Sequence, residues 1–241
     1  MANLATLVRG EFDRLNKYNL FKANFVILLL WVFLAWFLEG DVLRQFIPFI
    51  FLMDSIMMTI LLVGATLFYE KKEHTINSVM VSPVTENEYL LSKIIANVLN
   101  SLITVAFISA AVYLLKGVTY QYLLVVPAVA LVTVVHTLIG IRLSYSAKDF
   151  TSLLINYMVY IFVFFLPPVF GQFGLLDRTV ARFFILLPPE ASGILIGSGF
   201  SAIEPWKILL SYVYLALLSL LLFRFVVKPQ FMAYVMRETG V

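Results

Sequence analysis

The chain has 241 residues, of which 62% are hydrophobic and only 13% charged, and its mean hydropathy is +0.97. A water-soluble domain of this length needs far more charge to keep its surface wet, so the composition excludes one and places nearly all of the mass in a lipid bilayer. There is no cysteine, which excludes disulfides, thiol chemistry and Cys-ligated zinc, and the net charge of +3 is too small to matter as a sum.

Residues 1–20, "MANLATLVRGEFDRLNKYNL", carry charges throughout and lack the short apolar core of a cleavable leader. Leu4, Leu7, Val8, Phe12 and Leu15 fall on one helical face and Arg9, Asp13, Asn16 and Lys17 on the other. Such a helix lies in the membrane interface, either as a plain anchor for the first span or as a contact for a partner.

Six apolar runs follow: Phe21–Leu38, Phe46–Tyr69, Ile94–Leu115, Tyr122–Ile141, Phe150–Phe170 and Trp206–Val227. A helix crosses the bilayer core with about 20 apolar residues, and only a helix or a closed barrel satisfies its own backbone there. With the N-terminus inside, Arg9, Arg14, Lys17, Lys22, Lys71, Lys72, Lys93, Arg142, Lys148, Arg224, Lys228 and Arg237 are cytosolic. Arg44, Lys116, Arg178, Arg182 and Lys207 are outside. Twelve against five predicts both termini in the cytosol.

Within the second span, Asp54 is expected about two turns from the outer end, where a carboxylate is costly and faces protein or water. It is a pathway or proton-relay residue, or a hydrogen-bonded helix contact. The loop at 70–93 is the largest cytosolic one. Glu70, Lys71, Lys72, Glu73 and His74 are expected to carry the second span into water. Thr75 is expected to cap a short helix that Pro83 stops, because the residue before a proline leaves the α region. In "TENE", Thr85 and Glu88 form a capping box that starts the next helix. Ile76, Val79, Met80 and Val81 are too apolar for a free loop and must bury against the membrane or another protein.

In the third span, Asn97, Asn100, Ser101 and Thr104 share one face, as interhelical hydrogen-bonding groups or as a wet seam at a dimer axis. His136 has no neighbouring histidine, so a buried, hydrogen-bonded role is expected and no metal. The outer segment 171–205 is too apolar for a solvated linker. It reads as a re-entrant helix pair around Pro188–Pro189, the second helix starting at Pro189–Glu190, where proline and an acid suit an N-terminus.

Enzyme chemistry finds no support. The chain has no H-E-x-x-H, and "IGSGF" lacks the order of a serine nucleophile motif. No G-x-x-x-x-G-K-[ST] phosphate loop occurs either.

The 70–93 loop, with Glu70, Lys71, Lys72, Glu73, Thr75, Ser82, Pro83 and Glu88, resembles the first cytoplasmic loop of permeases in the ABC type-2 exporter family. There, glycine often stands where this chain has His74. The resemblance extends to the N-terminal surface helix, the six-span layout and "SYSAKDFTSLLINYMVYIFVFFLPPVF". It implies an all-α membrane protein of one permease domain over 1–241: six transmembrane helices, an N-terminal interfacial helix, a cytosolic coupling helix and a re-entrant outer pair before the last span. It implies that Glu70, Lys71, Lys72, Glu73, Thr75, Ser78, Val79 and Pro83 couple to a separate ABC ATPase subunit. That partner would hold ATP and Mg, with no cofactor in this chain. A second copy or a related permease would complete the exporter. Asp54, Asn97, Asn100 and Thr104 would line the pathway or join helices, and Pro188, Pro189 and Glu190 would build an outer lid. The implied home is a bacterial plasma membrane, and no nucleic-acid partner is expected. The competing reading is an ATPase-independent secondary transporter or a substrate-binding membrane subunit. No symmetry between the two halves of the chain supports it.

Overall fold

The chain runs as a series of helices because every apolar stretch must close its own backbone hydrogen bonds in lipid. The computed structural model describes residues 2–76, 82–172 and 182–239. Helix α1 covers Ala2–Lys17 and α2 Leu20–Phe37, with Asn19 between them in the left-handed region at φ 58°. Asparagine tolerates that conformation, and it lets the chain turn from the interface into the membrane. Helix α3 spans Gly40–Lys72, α4 Glu86–Lys116, α5 Tyr122–Tyr145 and α6 Phe150–Gly171. After a 3₁₀ turn at Arg182–Leu186 come α7, Pro188–Gly197, and α8, which starts as Pro205–Leu221 and continues to Lys228–Thr239. Six of these helices are long and apolar enough to cross a membrane, and the described residues contain no strand. The protein is an all-α, multi-pass membrane protein.

Local chemistry sets the helix ends. Thr85 caps α4 by the expected reciprocal pair: the Glu88 N–H donates to Thr85 Oγ1 (3.3 Å) and the Thr85 N–H to Glu88 Oε2 (3.0 Å). Gly117, at φ 65°, ends it. Asp149 caps α6 by accepting from the Ser152 N–H at 2.7 Å. Three spans contain a π turn: Asp54–Met58 in α3, Ile161–Phe165 in α6 and Leu222–Val227 in α8. Such turns hold an extra residue within a helix and concentrate at functional positions.

Helix α5 is the centre of the bundle and packs against α3, α4, α7 and α8. Its approach to α3 is close enough to demand glycine. A Cβ on Gly140 would lie 3.1 Å from Ile60 Cα and 2.5 Å from Val63 Cγ1. The α2 flank exposes Phe25, Leu29, Phe33 and Trp36, as a lipid-facing surface does. One apolar cluster fills the middle and the α7 end. A second, around Leu67, Ile76, Tyr89, Phe231 and Tyr234, fills the opposite end, called the base below because α1, the 70–93 loop and the C-terminal turns of α8 meet there.

Two expectations need correction. Glu70 does not enter water: it is 1% exposed, because α1 and α4 close over it. Asp54 lies in the middle of a helix that begins at Gly40, so it sits about 20 Å along α3 at 1.5 Å per residue, deeper than two turns. Of the outer segment 171–205, the described residues hold a 3₁₀ turn at Arg182–Leu186 and a ten-residue helix at Pro188–Gly197, and residues 173–181 lie outside them. Leu187 precedes Pro188 and is forced extended (ψ 130°), which ends the first apolar run there.

Gly140→Val is expected to lower stability by about 1–3 kcal/mol through overpacking. Gly10→Ala, with no atom within 4 Å of the added carbon, should be neutral or stabilising by about 0.4–1 kcal/mol. Thermal unfolding of both variants in one detergent checks the contrast.

Candidate functional site

At the base, three helix ends contribute charges to one buried cluster. In α1 the apolar stripe at positions 4, 7, 8 and 15 also contains position 11, so Glu11 faces inward, with Arg14 one turn on. Glu70 stands at the end of α3, and Tyr89 and Lys93 lie one turn apart at the start of α4. Lys93 Nζ donates to Glu70 Oε1 at 2.7 Å and to both carboxylate oxygens of Glu11 at 3.1 Å. Arg14 reaches Glu11 Oε1 at 2.5 Å and Glu70 Oε1 at 3.2 Å. The Tyr89 hydroxyl donates to Glu70 Oε2, and Lys93 Nζ lies 4.8 Å from the centre of the Tyr89 ring. Glu11, Glu70, Tyr89 and Lys93 are all buried. Two carboxylates face one ammonium and one guanidinium, so the quartet is neutral overall. Burial pushes the Glu11 carboxyl upward, against the pull of Lys93.

A second, exposed link lies at the rim. Lys17 Nζ (2.6 Å) and the Tyr18 hydroxyl (2.9 Å) both donate to Glu73 Oε2, and the Tyr18 ring stacks on Tyr69 with centroids 4.5 Å apart. The Lys17 hydrogen bond, followed by that from Tyr18, holds Glu73 below the usual carboxylate range. His74 then turns the chain at φ 55°. Histidine is among the residues that tolerate this region, and glycine enters it freely, which accounts for a glycine at this place in similar loops. The Thr75 hydroxyl donates back to the Glu70 carbonyl at 3.2 Å. Thr75 therefore closes the end of α3, and the short helix that the sequence suggested it caps runs into residues outside the described ones. Ile76 is buried against this chain's own base cluster, not against lipid or another protein. Ser78, Val79, Met80 and Val81 lie outside the described residues. Lys72 and Pro83 are exposed, and Lys71 lies half-buried with its Nζ 5.9 Å from the Tyr234 ring centre. Beside the loop a groove of about 440 Å³ opens between Val84–Asn87 and Lys228 and Met232 of α8.

The intramembrane residues divide into two groups. Ser101 Oγ donates to Asp54 Oδ2 at 3.1 Å, joining α4 to α3. Asn24 Nδ2 donates to Asn100 Oδ1 at 3.4 Å, joining α2 to α4. Asn97 and Thr104 bond back to their own helix, at Lys93 O (2.9 Å) and Asn100 O (3.2 Å). Asn100 and Thr104 also line an apolar groove of about 430 Å³ between α2 and α4, with Phe21, Phe25, Ile103 and Phe107. His136 is fully buried and its Nδ1 donates to the Val132 carbonyl at 2.8 Å. Pro188 and Pro189 form the first turn of α7 with Glu190 in it, and α7 packs on α3, α5 and α8 at the end opposite the base.

Reading the sequence missed Glu11, Arg14, Tyr89 and Lys93 as a unit. The available signals were an acid inside the apolar stripe of α1 and a lysine at the threshold of an apolar span.

A six-span helical bundle with its first interfacial helix latched to the root of its largest base loop defines a transport permease subunit. The Fluoroquinolones export permease protein family matches residues 2–239, and the chain belongs to that family; it is a permease subunit of the ABC type. Similar proteins are the fluoroquinolones export permease proteins of two Mycobacterium tuberculosis strains, CDC 1551 / Oshkosh and H37Rv. Each is 26% identical over 196 residues, covering 80% of this chain and 80% of the relative.

Lys93→Ala is expected to leave two buried carboxylates against one guanidinium and to cost about 3–5 kcal/mol. Adding Glu70→Gln to Lys93→Met leaves the balanced Glu11–Arg14 pair, so the double variant should be more stable than the sum of the single losses. Thermal unfolding of the two singles and the double checks this, and strict additivity would refute a coupled quartet.

Proposed function

We propose that this chain is the membrane half of an ATP-driven exporter, with its base in the cytosol of a bacterial cell, paired with a second copy or a related permease and driven by two separate ATPase subunits. The observation that carries the reading is the double attachment of the 70–93 loop. Its two roots are joined by Lys93 and Glu70, and α1 is tied to the same roots through Glu11, Arg14, Lys17 and Tyr18. A push on the loop tip therefore reaches α1, α3 and α4 together. Glu70, although named by resemblance as a coupling residue, acts in this reading as the root of the lever. Lys72 and Pro83 are exposed groups on the loop that can meet a partner. Driving a two-state bundle from 1:99 to 99:1 takes about 5.5 kcal/mol, within reach of a nucleotide cycle.

For the cargo we take the drug class in the relatives' names, fluoroquinolones. The lipid-facing groove between α2 and α4, apolar with Asn24, Asn100 and Thr104 along it, is where an amphipathic molecule would enter. The pathway role of Asp54 and Asn97 and the lid role of Pro188, Pro189 and Glu190 belong to the same reading.

Reconstitution with an ABC ATPase subunit from the same organism tests it. Glu73→Lys should lower permease-stimulated ATP hydrolysis several-fold while the melting temperature of the permease stays unchanged; full stimulation in that variant would count against the lever. Acid should have the same effect on the rim link. The Glu73 carboxyl is held low, so its link to Lys17 and Tyr18 is intact above the ordinary carboxylate range and is lost as pH falls through the lowered value. Hydrogen exchange at the end of α1 should rise over that window. Cells carrying the pair should accumulate less fluoroquinolone than cells with the permease alone, and equal accumulation would remove that cargo.

A further inference from the structure

Asp54 is the least satisfied charged group in the membrane interior. It is 2% exposed, and its Oδ1 has no hydrogen-bond partner and essentially no accessible surface, so neither water nor a metal ion can touch that oxygen in this conformation. One hydroxyl, Ser101 Oγ, serves the whole carboxyl through Oδ2, and the Ser55 hydroxyl stands 3.5 Å from Ser101. Several elements pack around the Asp54–Met58 turn. Helix α4 carries Lys93, which is committed to Glu11 and Glu70. Helix α5 carries His136, with one nitrogen on the Val132 carbonyl and its ring against Tyr160. Near Met58, α1 brings Glu11 and Arg14, both in the quartet, and α2 brings Lys22 at its first turn. Among the described residues none of these cations bonds to Asp54. A bare carboxylate so placed lacks both a counter-ion and solvent, and the free-energy cost of such a charge greatly exceeds that of an unpaired hydroxyl.

We propose that Asp54 is a proton-binding site in the middle of the membrane, with the proton on Oδ1, and that the proton exchanges with the base along the polar face of α4. Polar side chains recur along that face at each helical turn. Lys93, Asn97, Asn100, Ser101 and Thr104 are all buried on it, Asn97 bonds to the Lys93 carbonyl and Ser101 touches Asp54. From Lys93 to Ser101 the helix rises about 12 Å. The π turn that begins at Asp54 supplies the means to turn the carboxyl toward or away from this face, since such a turn can rearrange without unpairing the helix. Moving the helices through the base quartet would then alter access to the proton, which gives the permease a proton-linked step. The site itself does not depend on the ATP-driven reading.

Infrared spectroscopy of the full chain in lipid nanodiscs tests the proposal without any partner. At pH 7 the wild type should show the carbonyl band of a protonated carboxylic acid that Asp54→Asn removes and Glu11→Gln leaves in place. A wild-type spectrum with that band unchanged by Asp54→Asn would overturn the site. Should Asp54→Asn misfold, Asp54→Glu should move that band to a different frequency; a band that Asp54→Glu leaves unmoved overturns the proposal equally. Asn97→Leu should slow the shift of the band in heavy water at least tenfold. An unchanged rate would sink the α4 route and leave the site standing.

Discussion

Everything at the base depends on three buried charges and a fourth, Arg14, that is half-buried beside them. Glu11, Arg14, Glu70 and Lys93 come from three helices, and none of them is tolerable in its position without the others. Desolvation makes each one costly; their mutual neutrality makes the set acceptable. A buried ion cluster of this kind contributes less to raw stability than apolar packing would. It does dictate geometry, since only one arrangement of α1, α3 and α4 satisfies all its hydrogen bonds. An interfacial helix held by lipid contacts alone could slide and rotate. Held by the quartet and by Lys17 and Tyr18, α1 becomes a fixed arm of the bundle.

Above the base the physics changes from charge to close approach. Gly140 lets α5 lie directly on α3. At the far end the Gly199 carbonyl accepts from the Gln121 N–H at 2.9 Å, a contact that leaves no room for a side chain at that glycine. The central helices therefore behave as one packed block, while α2 and most of α8 face lipid. A force applied at the base meets a stiff column. Small polar contacts, Asn24 with Asn100 and Asp54 with Ser101, are the places where that column joins its neighbours by hydrogen bonds and not by packing alone.

The sequence made the spans legible because bilayer thickness imposes a length that composition must match, and all six runs fall on observed helices, the first overshooting by one residue at Leu38. Capping chemistry was equally readable: Thr85 with Glu88 obeys a local rule that needs no tertiary knowledge. Glu70 was misread for the opposite reason. A glutamate at the end of an apolar run next to two lysines looks solvated, and only its pairing with Arg14, 56 positions earlier, and Lys93, 23 later, takes it out of water. The segment around Pro188–Pro189 kept its proline-started helix, because a proline suits the first turn of a helix.

The π turn in α3 has a consequence for how this gene product can vary. Each residue added to or taken from a helix rotates all that follows by about 100°. Asp54–Met58 lies between the far end of α3 and the carboxylate of Glu70. Loss of one residue there would swing Glu70 off its lysine while leaving composition, hydropathy and span length almost untouched. Length changes at this turn are thus far less tolerable than substitutions of one apolar side chain by another, and the spacing from Asp54 to Glu70 acts as a ruler set inside the membrane.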